Sequence, residues 1–232
     1  MNTMEYGTAF TYPQQDADWL KKWLIMAFIP LIPVVGGFLV LGYMVEIMRR
    51  VIKGETPVLP EWTDFGEYLK KGFMGFVVTL VYALPVILLA ICMYAAQFGL
   101  ALAADSADSG STEQMLLTVS SVVSVCFGCL IFLFALALAV LLPAALGRFA
   151  ATGEMGAGLR LGEVFNLVRA KPAVYIIVAL LAGLATSVLM SIGTIIPCCG
   201  TLVGAAYGQL AAAHLYGQAY RVASPESGAA SA

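Results

Sequence analysis

Charge is scarce in this chain. Of 232 residues, 12 are Lys or Arg and 14 are Asp or Glu, 11% in all, against 61% hydrophobic residues. Soluble domains carry about a quarter charged and about half apolar residues, so a water-soluble enzyme and a disordered chain are both excluded. The net charge of −2 gives no basic footprint for nucleic acid. Histidine occurs once, at His214, and no carboxylate lies inside the long apolar runs. An aspartyl dyad and an ion-coupling carboxylate at the membrane midplane are therefore missing. No H-E-x-x-H, Ser–His pair or Gly-rich phosphate loop is present. No catalytic residue, cofactor or metal is expected, and the chain reads as a non-enzyme.

What is there instead is a set of uncharged runs: Trp23–Val45, then 72–104, 114–147 and 172–220. About 20 apolar residues cross a bilayer core of about 30 Å, and in lipid every backbone amide must be bonded internally. These runs are therefore helices. The second and third are long enough for one helix each, and the fourth for two. The expected fold is all-α: a polytopic transmembrane bundle of five or six apolar segments (23–47, 73–104, 115–147, 173–197 and 200–220). A polar N-terminal segment, 1–18, precedes it and a disordered tail, 223–232, follows. No cleavable leader is expected, because Glu5, Asp16 and Asp18 open the chain without a basic start.

The basic residues cluster before the first run (Lys21, Lys22), in the loop after it (Arg49, Arg50, Lys53, Lys70, Lys71), in 148–171, and at Arg221, while 105–114 has none. By the positive-inside rule that last segment is external and the basic loops are cytoplasmic. If Trp23–Val45 crossed once, Lys21 and Lys22 would lie outside. A hairpin at I-P-L-I-P-V-V-G-G (Ile29–Gly37) keeps them inside, since Pro30 and Pro33 remove donors and Gly36 and Gly37 permit a turn. The expected location is a cytoplasmic (inner) membrane, with the basic loops and both termini on the cytoplasmic side.

The two ends of the chain echo each other. Ile32, Pro33, Gly36 and Tyr43 share their offsets with Ile196, Pro197, Gly200 and Tyr207. Interrupted helices at corresponding places can mark a transporter's site, which makes Pro33, Gly36, Pro197, Gly200, Gln209 and His214 the binding candidates. A plain turning role for the same residues stays open. Gly200, Gly204, Gly208 and Ala212 recur every four residues, a small-residue seam for another helix of this chain or of a second copy.

Two loop segments have helical apolar stripes, Trp62, Phe65 and Leu69 in one and Val164, Phe165 and Val168 in the other. They are expected as short amphipathic helices on the inner interface, with lipid-facing anchors. Glu46 precedes Arg49 and Arg50 by three and four residues, which predicts helix-end ion pairs. Cys126 and Cys129 form a C-x-x-C without a second pair or a nearby His, and read as small apolar residues. Cys198 and Cys199 are read as unpaired thiols, with a vicinal disulfide as the alternative.

At R-R-V-I-K-G-E-T-P-V-L-P-E-W-T-D-F-G (Arg49–Gly66) the chain resembles the prokaryotic integral membrane family catalogued as domain of unknown function 4013. F-T-Y-P (Phe10–Pro13), D-W-L-K-K (Asp18–Lys22), L-P-A-A-L-G-R-F-A (Leu142–Ala150), G-E-V-F-N-L-V-R (Gly162–Arg169) and H-L-Y-G-Q-A-Y-R (His214–Arg221) carry the same resemblance. It implies the fold and the membrane location, brings no site residues, and marks L-P-E-W and G-Q-A-Y as important. The expected function is a structural or accessory subunit in a homo-oligomer or larger membrane complex, with the lipid bilayer as its other partner. The alternative is a small-solute or lipid transporter using the Pro–Gly breaks.

Overall fold

The computed structural model describes residues 4–107, 109–195 and 199–224. Among them there are α-helices, short 3-10 turns and no strand. In chain order the helices are α1 Thr8–Thr11, α2 Trp19–Phe28, α3 Val35–Lys53, α4 Phe65–Asp105, α5 Gly110–Thr152, α6 Met155–Leu159, α7 Leu161–Ala170, α8 Pro172–Gly193 and α9 Gly200–Ala223. Three of these are long and apolar enough to cross a membrane: α4, α5 and α8. The other two long helices fall short for legible reasons. In α3 the last two turns carry Glu46, Arg49, Arg50 and Lys53, and α9 is built largely of Gly and Ala with Gln209, His214 and Gln218.

The chain divides into two compact units, residues 4–79 with 140–224, and residues 80–139. In the first unit α9 is the hub, touching α1, α2, α3, α7 and α8. Its second half is almost wholly buried from Leu210 to Tyr220, which its Ala and Gly content allows by letting neighbours approach closely. Helix α3 buries Leu39, Val40, Tyr43, Ile47 and Val51, a stripe at helical spacing. It stops at Gly54, whose φ of 69° places it in the left-handed region, with its N–H on the Arg50 and Val51 carbonyls. The same device ends α5, where Gly153 (φ 74°) donates to the Phe149 carbonyl at 2.8 Å.

Helices α8 and α9 run antiparallel along the expected seam. A Cβ on Gly204 would fall 2.1 Å from the Leu189 carbonyl oxygen, and one on Gly208 would fall 2.7 Å from the Thr186 Cα. Gly193 and Gly200 make the corresponding approach at the turn end, and Ala212 is buried. The seam thus binds two helices of one chain. Pro197 and Cys198 lie outside the described residues, and Cys199 is a free thiol.

At the other Pro–Gly element α2 stops at Phe28, a 3-10 turn covers Ile29–Leu31, and α3 begins at Val35. Between them Val34 has φ 65° and ψ −59°, with the Val35 N–H on the Pro33 carbonyl at 2.7 Å. This is a γ-turn of the rare left-handed kind, strained for a β-branched residue. Gly36 is buried because a Cβ there would meet the Ile29 carbonyl oxygen at 2.1 Å, whereas Pro33 is exposed.

Two expectations about the loops need correction. The segment after Trp62 is no separate interfacial helix, because Phe65 to Lys71 are the first turns of the 41-residue α4. Gly72 does not break it. That glycine sits where α4 crosses α3, and a Cβ would fall 1.8 Å from the Phe38 carbonyl oxygen. The second correction concerns exposure. Trp62, Val164 and Val168 are buried against protein, while Phe65, Leu69 and Phe165 are exposed. Helix α7 is the expected short amphipathic helix, but Val164 and Val168 face the protein.

The second unit consists of the C-terminal part of α4 and the first part of α5. It is apolar nearly all round, with Leu88, Ile91, Tyr94, Phe98 and Phe132 exposed, as suits a helix surface in lipid. Its helices meet at a polar lock. The Gln97 amide nitrogen donates to the Ser120 carbonyl at 3.0 Å and the Ser124 hydroxyl at 2.8 Å, and the Ser120 hydroxyl donates back to the Gln97 oxygen. Cys126 and Cys129 are exposed free thiols on the same stretch of α5.

Candidate functional site

The L-P-E-W loop (Leu59–Trp62) is held from every side. The Tyr43 hydroxyl donates to the Pro60 carbonyl at 3.0 Å and the Tyr68 hydroxyl donates to the Glu61 carbonyl at 2.5 Å. The Trp62 indole N–H donates to the Lys22 carbonyl at 3.1 Å, and its ring stacks on Tyr43 at 4.1 Å with Tyr68 edge-on to both. Lys22, almost wholly buried, reaches Asp16 at 2.7 Å and Glu61 at 2.6 Å. Burial opposes its charge, but the two carboxylates outweigh that and hold its pKa above the usual lysine value. The loop therefore clasps the end of the N-terminal segment, α2, α3 and the start of α4 together.

Beside the clasp lies a charge cluster. The Glu46 carboxylate, 5% exposed, accepts from Arg49 Nη2 at 2.7 Å and Nε at 2.9 Å, from Arg50 Nε at 3.2 Å and from Lys71 Nζ at 2.6 Å. The helix-end pairs with Arg49 and Arg50 are those read from the spacing, and Lys71 arrives from α4. Each cation has a second partner. Arg49 forks onto Glu55 at 2.8 and 2.9 Å, Lys71 pairs with Glu67 at 2.5 Å, and Arg50 donates to the Pro57 carbonyl at 2.9 Å.

The closing motif is a strap. Gln218 brackets the Glu5 backbone, its oxygen accepting the Glu5 N–H at 3.0 Å and its nitrogen donating to the Glu5 carbonyl at 3.1 Å. The same amide nitrogen lies 3.1 Å from His214 Nδ1. His214 stacks on Tyr12 at 4.4 Å, and the Tyr12 hydroxyl donates to the Leu210 carbonyl at 3.1 Å. Gly217 and Tyr220 complete the motif by packing, the first against Val51 and Met48, the second against Gly147.

The strap, the end of α3 and the following loop border a half-open cavity of about 180 Å³, lined by Glu5, Arg50, Glu55, His214, Gln218 and Arg221 among others. A second, almost wholly apolar groove of about 300 Å³ runs along Trp23, Gly193, Gly200, Val203, Gly204 and Tyr207. The binding candidates are thus not one site. His214 borders the polar cavity, Gly200 the apolar groove, and Pro33 and Gly36 form the other break. Gln209 is half-buried and borders neither of these spaces. No group of three or more His, Cys, Asp or Glu side chains converges among the described residues.

The sequence echo has a structural counterpart. Tyr43 and Tyr207 each follow the matched glycine by seven residues, and each hydroxyl donates to a distant carbonyl, Pro60 and Phe10 (2.6 Å) respectively. Each ring also lies against a tryptophan, Trp62 for Tyr43 and Trp23 for Tyr207. The matched positions serve as docking tyrosines for neighbouring segments. Lys22, Tyr12, Gln218 and Glu5 were not singled out by their chemistry. The resemblance flagged the motifs holding the first three, and Glu5 carries no local signal.

No curated protein and no solved structure matches the chain. The family model described as protein of unknown function (DUF4013) matches residues 25–198. That stretch takes in the α2–α3 break, the L-P-E-W loop, both long helices and α8, and the chain belongs to this family.

Proposed function

We propose that the protein is a structural or accessory subunit of the prokaryotic cytoplasmic membrane, without catalytic activity of its own, working as a homo-oligomer or within a larger membrane complex. One observation carries this reading. The polar groups of the most distinctive motif, L-P-E-W, are engaged inside the chain, while residues 80–139 expose large apolar side chains such as Leu88, Ile91, Phe98 and Phe132. Residues that would have to reach a substrate are building the scaffold, and the surface left over is suited to lipid and other helices.

In this reading α4, α5 and the α8–α9 pair cross the bilayer. The α2–α3 pair enters and leaves on the side of the basic loops, and both termini are cytoplasmic. Reporter fusions at residues 1 and 232 test the arrangement, and an external N-terminus would sink it. For the subunit role the test is gentle purification followed by native mass spectrometry. A stoichiometric protein partner or a defined homo-oligomer is the expected result, and a lone monomer carrying a specific lipid or solute overturns it. One observation favours the second reading, a lipid-handling or transport role. The apolar groove lies at the second Pro–Gly break, beside Gly200 and Gly204, and a defined lipid retained there would bring that reading forward.

A further inference from the structure

The protonation pattern of His214 is set by its neighbours. The Gln218 amide cannot be turned round, because its oxygen must accept the Glu5 N–H and its nitrogen must donate to the Glu5 carbonyl. The remaining hydrogen of that nitrogen therefore points to His214 Nδ1 at 3.1 Å. Nδ1 must then carry a lone pair, which puts the single proton of the neutral ring on Nε2. His214 is only 5% exposed, borders the cavity, and has no acceptor for this Nε2–H among the described residues. A donor that borders a cavity without a protein acceptor is available to a molecule held there.

The rest of the wall sets two carboxylates, Glu5 and Glu55, against the guanidinium groups of Arg50 and Arg221. Both Glu55 oxygens already accept from Arg49, and Glu5 accepts from the Thr8 hydroxyl at 2.9 Å. Arg50 has five N–H groups, of which Nε is bonded to Glu46 and one on Nη1 to the Pro57 carbonyl. Arg221 adds a second positive charge at the same wall. A cavity of about 180 Å³ has room for several waters, and so admits acetate or a three-carbon acid. Glu5 and Glu55 on the same wall oppose a second negative charge. Planar guanidinium groups match planar carboxylates.

We propose that this cavity is a binding site for a small monovalent carboxylate, its oxygens bonded by His214 Nε2–H and Arg50 with Arg221 supplying charge. The proposal is independent of the subunit reading, since neither an oligomer nor a monomer changes the cavity. His214 is the only histidine, so ¹⁵N-histidine labelling of the full-length protein in lipid nanodiscs gives one ring to observe. Titrated with sodium acetate, the Nε2–H signal is expected to shift and saturate, with Nδ1 staying unprotonated, while sodium chloride at equal ionic strength leaves it in place. No shift with acetate, the same shift with chloride, or a response to phosphate alone overturns the proposal. His214→Phe keeps the ring against Tyr12 and removes the donor, and is expected to weaken acetate binding about tenfold in calorimetry, one charged hydrogen bond's worth. Equal affinity in a folded variant also overturns it, and the wild-type titration stands without the variant.

Discussion

Replacing Glu46 by Gln keeps the shape of the side chain and removes the one negative charge that Arg49, Arg50 and Lys71 share. Breaking a buried ion pair from one side costs about 3–5 kcal/mol when the stranded partner has nothing else. Here none is stranded. Arg49 keeps its fork on Glu55, Lys71 keeps Glu67 and Arg50 keeps the Pro57 carbonyl. The three cations are also 22–25% exposed, so water screens the change. Taking half the penalty gives about 2 kcal/mol, a fall in melting temperature of about 4–8 °C for a chain of this size. Glu163 makes the control. It also faces two cations, Arg148 and Arg160, but its side chain is 45% exposed. Exposed pairs contribute about 0–1 kcal/mol, so Glu163→Gln should melt within a few degrees of the wild type. Thermal unfolding of both variants in one detergent, followed by tryptophan fluorescence, compares them directly. Equal melting temperatures would refute the argument, because burial and the convergence of three cations would then add nothing.

Three further outcomes follow from the packing. Trp62→Phe retains an aromatic ring against Tyr43 and loses only the bond to the Lys22 carbonyl, so it should cost about 1 kcal/mol, against about 3–5 for Trp62→Ala; similar melting of the two variants would show that the stack is not what holds the loop. Gly204→Ala should lower the melting temperature by several degrees, since its Cβ has no room against Leu189, whereas Gly37→Ala, in open space, should change it little. Val34→Gly should raise stability by about 1 kcal/mol by relieving the positive φ, and an unchanged or lower melting temperature would count against the strained turn.

The sequence told most where physics is local. Charge-free runs located α4, α5 and the α8–α9 pair, and the Pro–Gly element marked the break before α3. The spacing of Glu46, Arg49 and Arg50 gave two of the three ion pairs, and the repeat of small residues gave the α8–α9 seam. What escaped depends on long-range placement. Helical spacing alone cannot tell a face turned to protein from one turned to lipid, and Val164 and Val168 face protein where the stripe suggests lipid. Trp62 precedes by three residues the helix that its spacing suggests, and its ring is held by Tyr43, nineteen residues earlier. The cavity is the hardest case, because it joins Glu5 to Gln218 across almost the whole chain, and no window of sequence contains both.

The Gln97 lock bears on how the chain is made. As α4 leaves the ribosome and enters the membrane, Gln97 has neither of its bonding partners, because Ser120 and Ser124 are still to be synthesised. A lone Gln in hydrocarbon has no acceptor or donor to turn to. The C-terminal part of α4 is thus poorly settled in lipid until α5 emerges beside it. The two should pass from the insertion machinery into the bilayer as a pair, and a nascent chain stopped before Ser120 should remain bound to that machinery or to a helper protein.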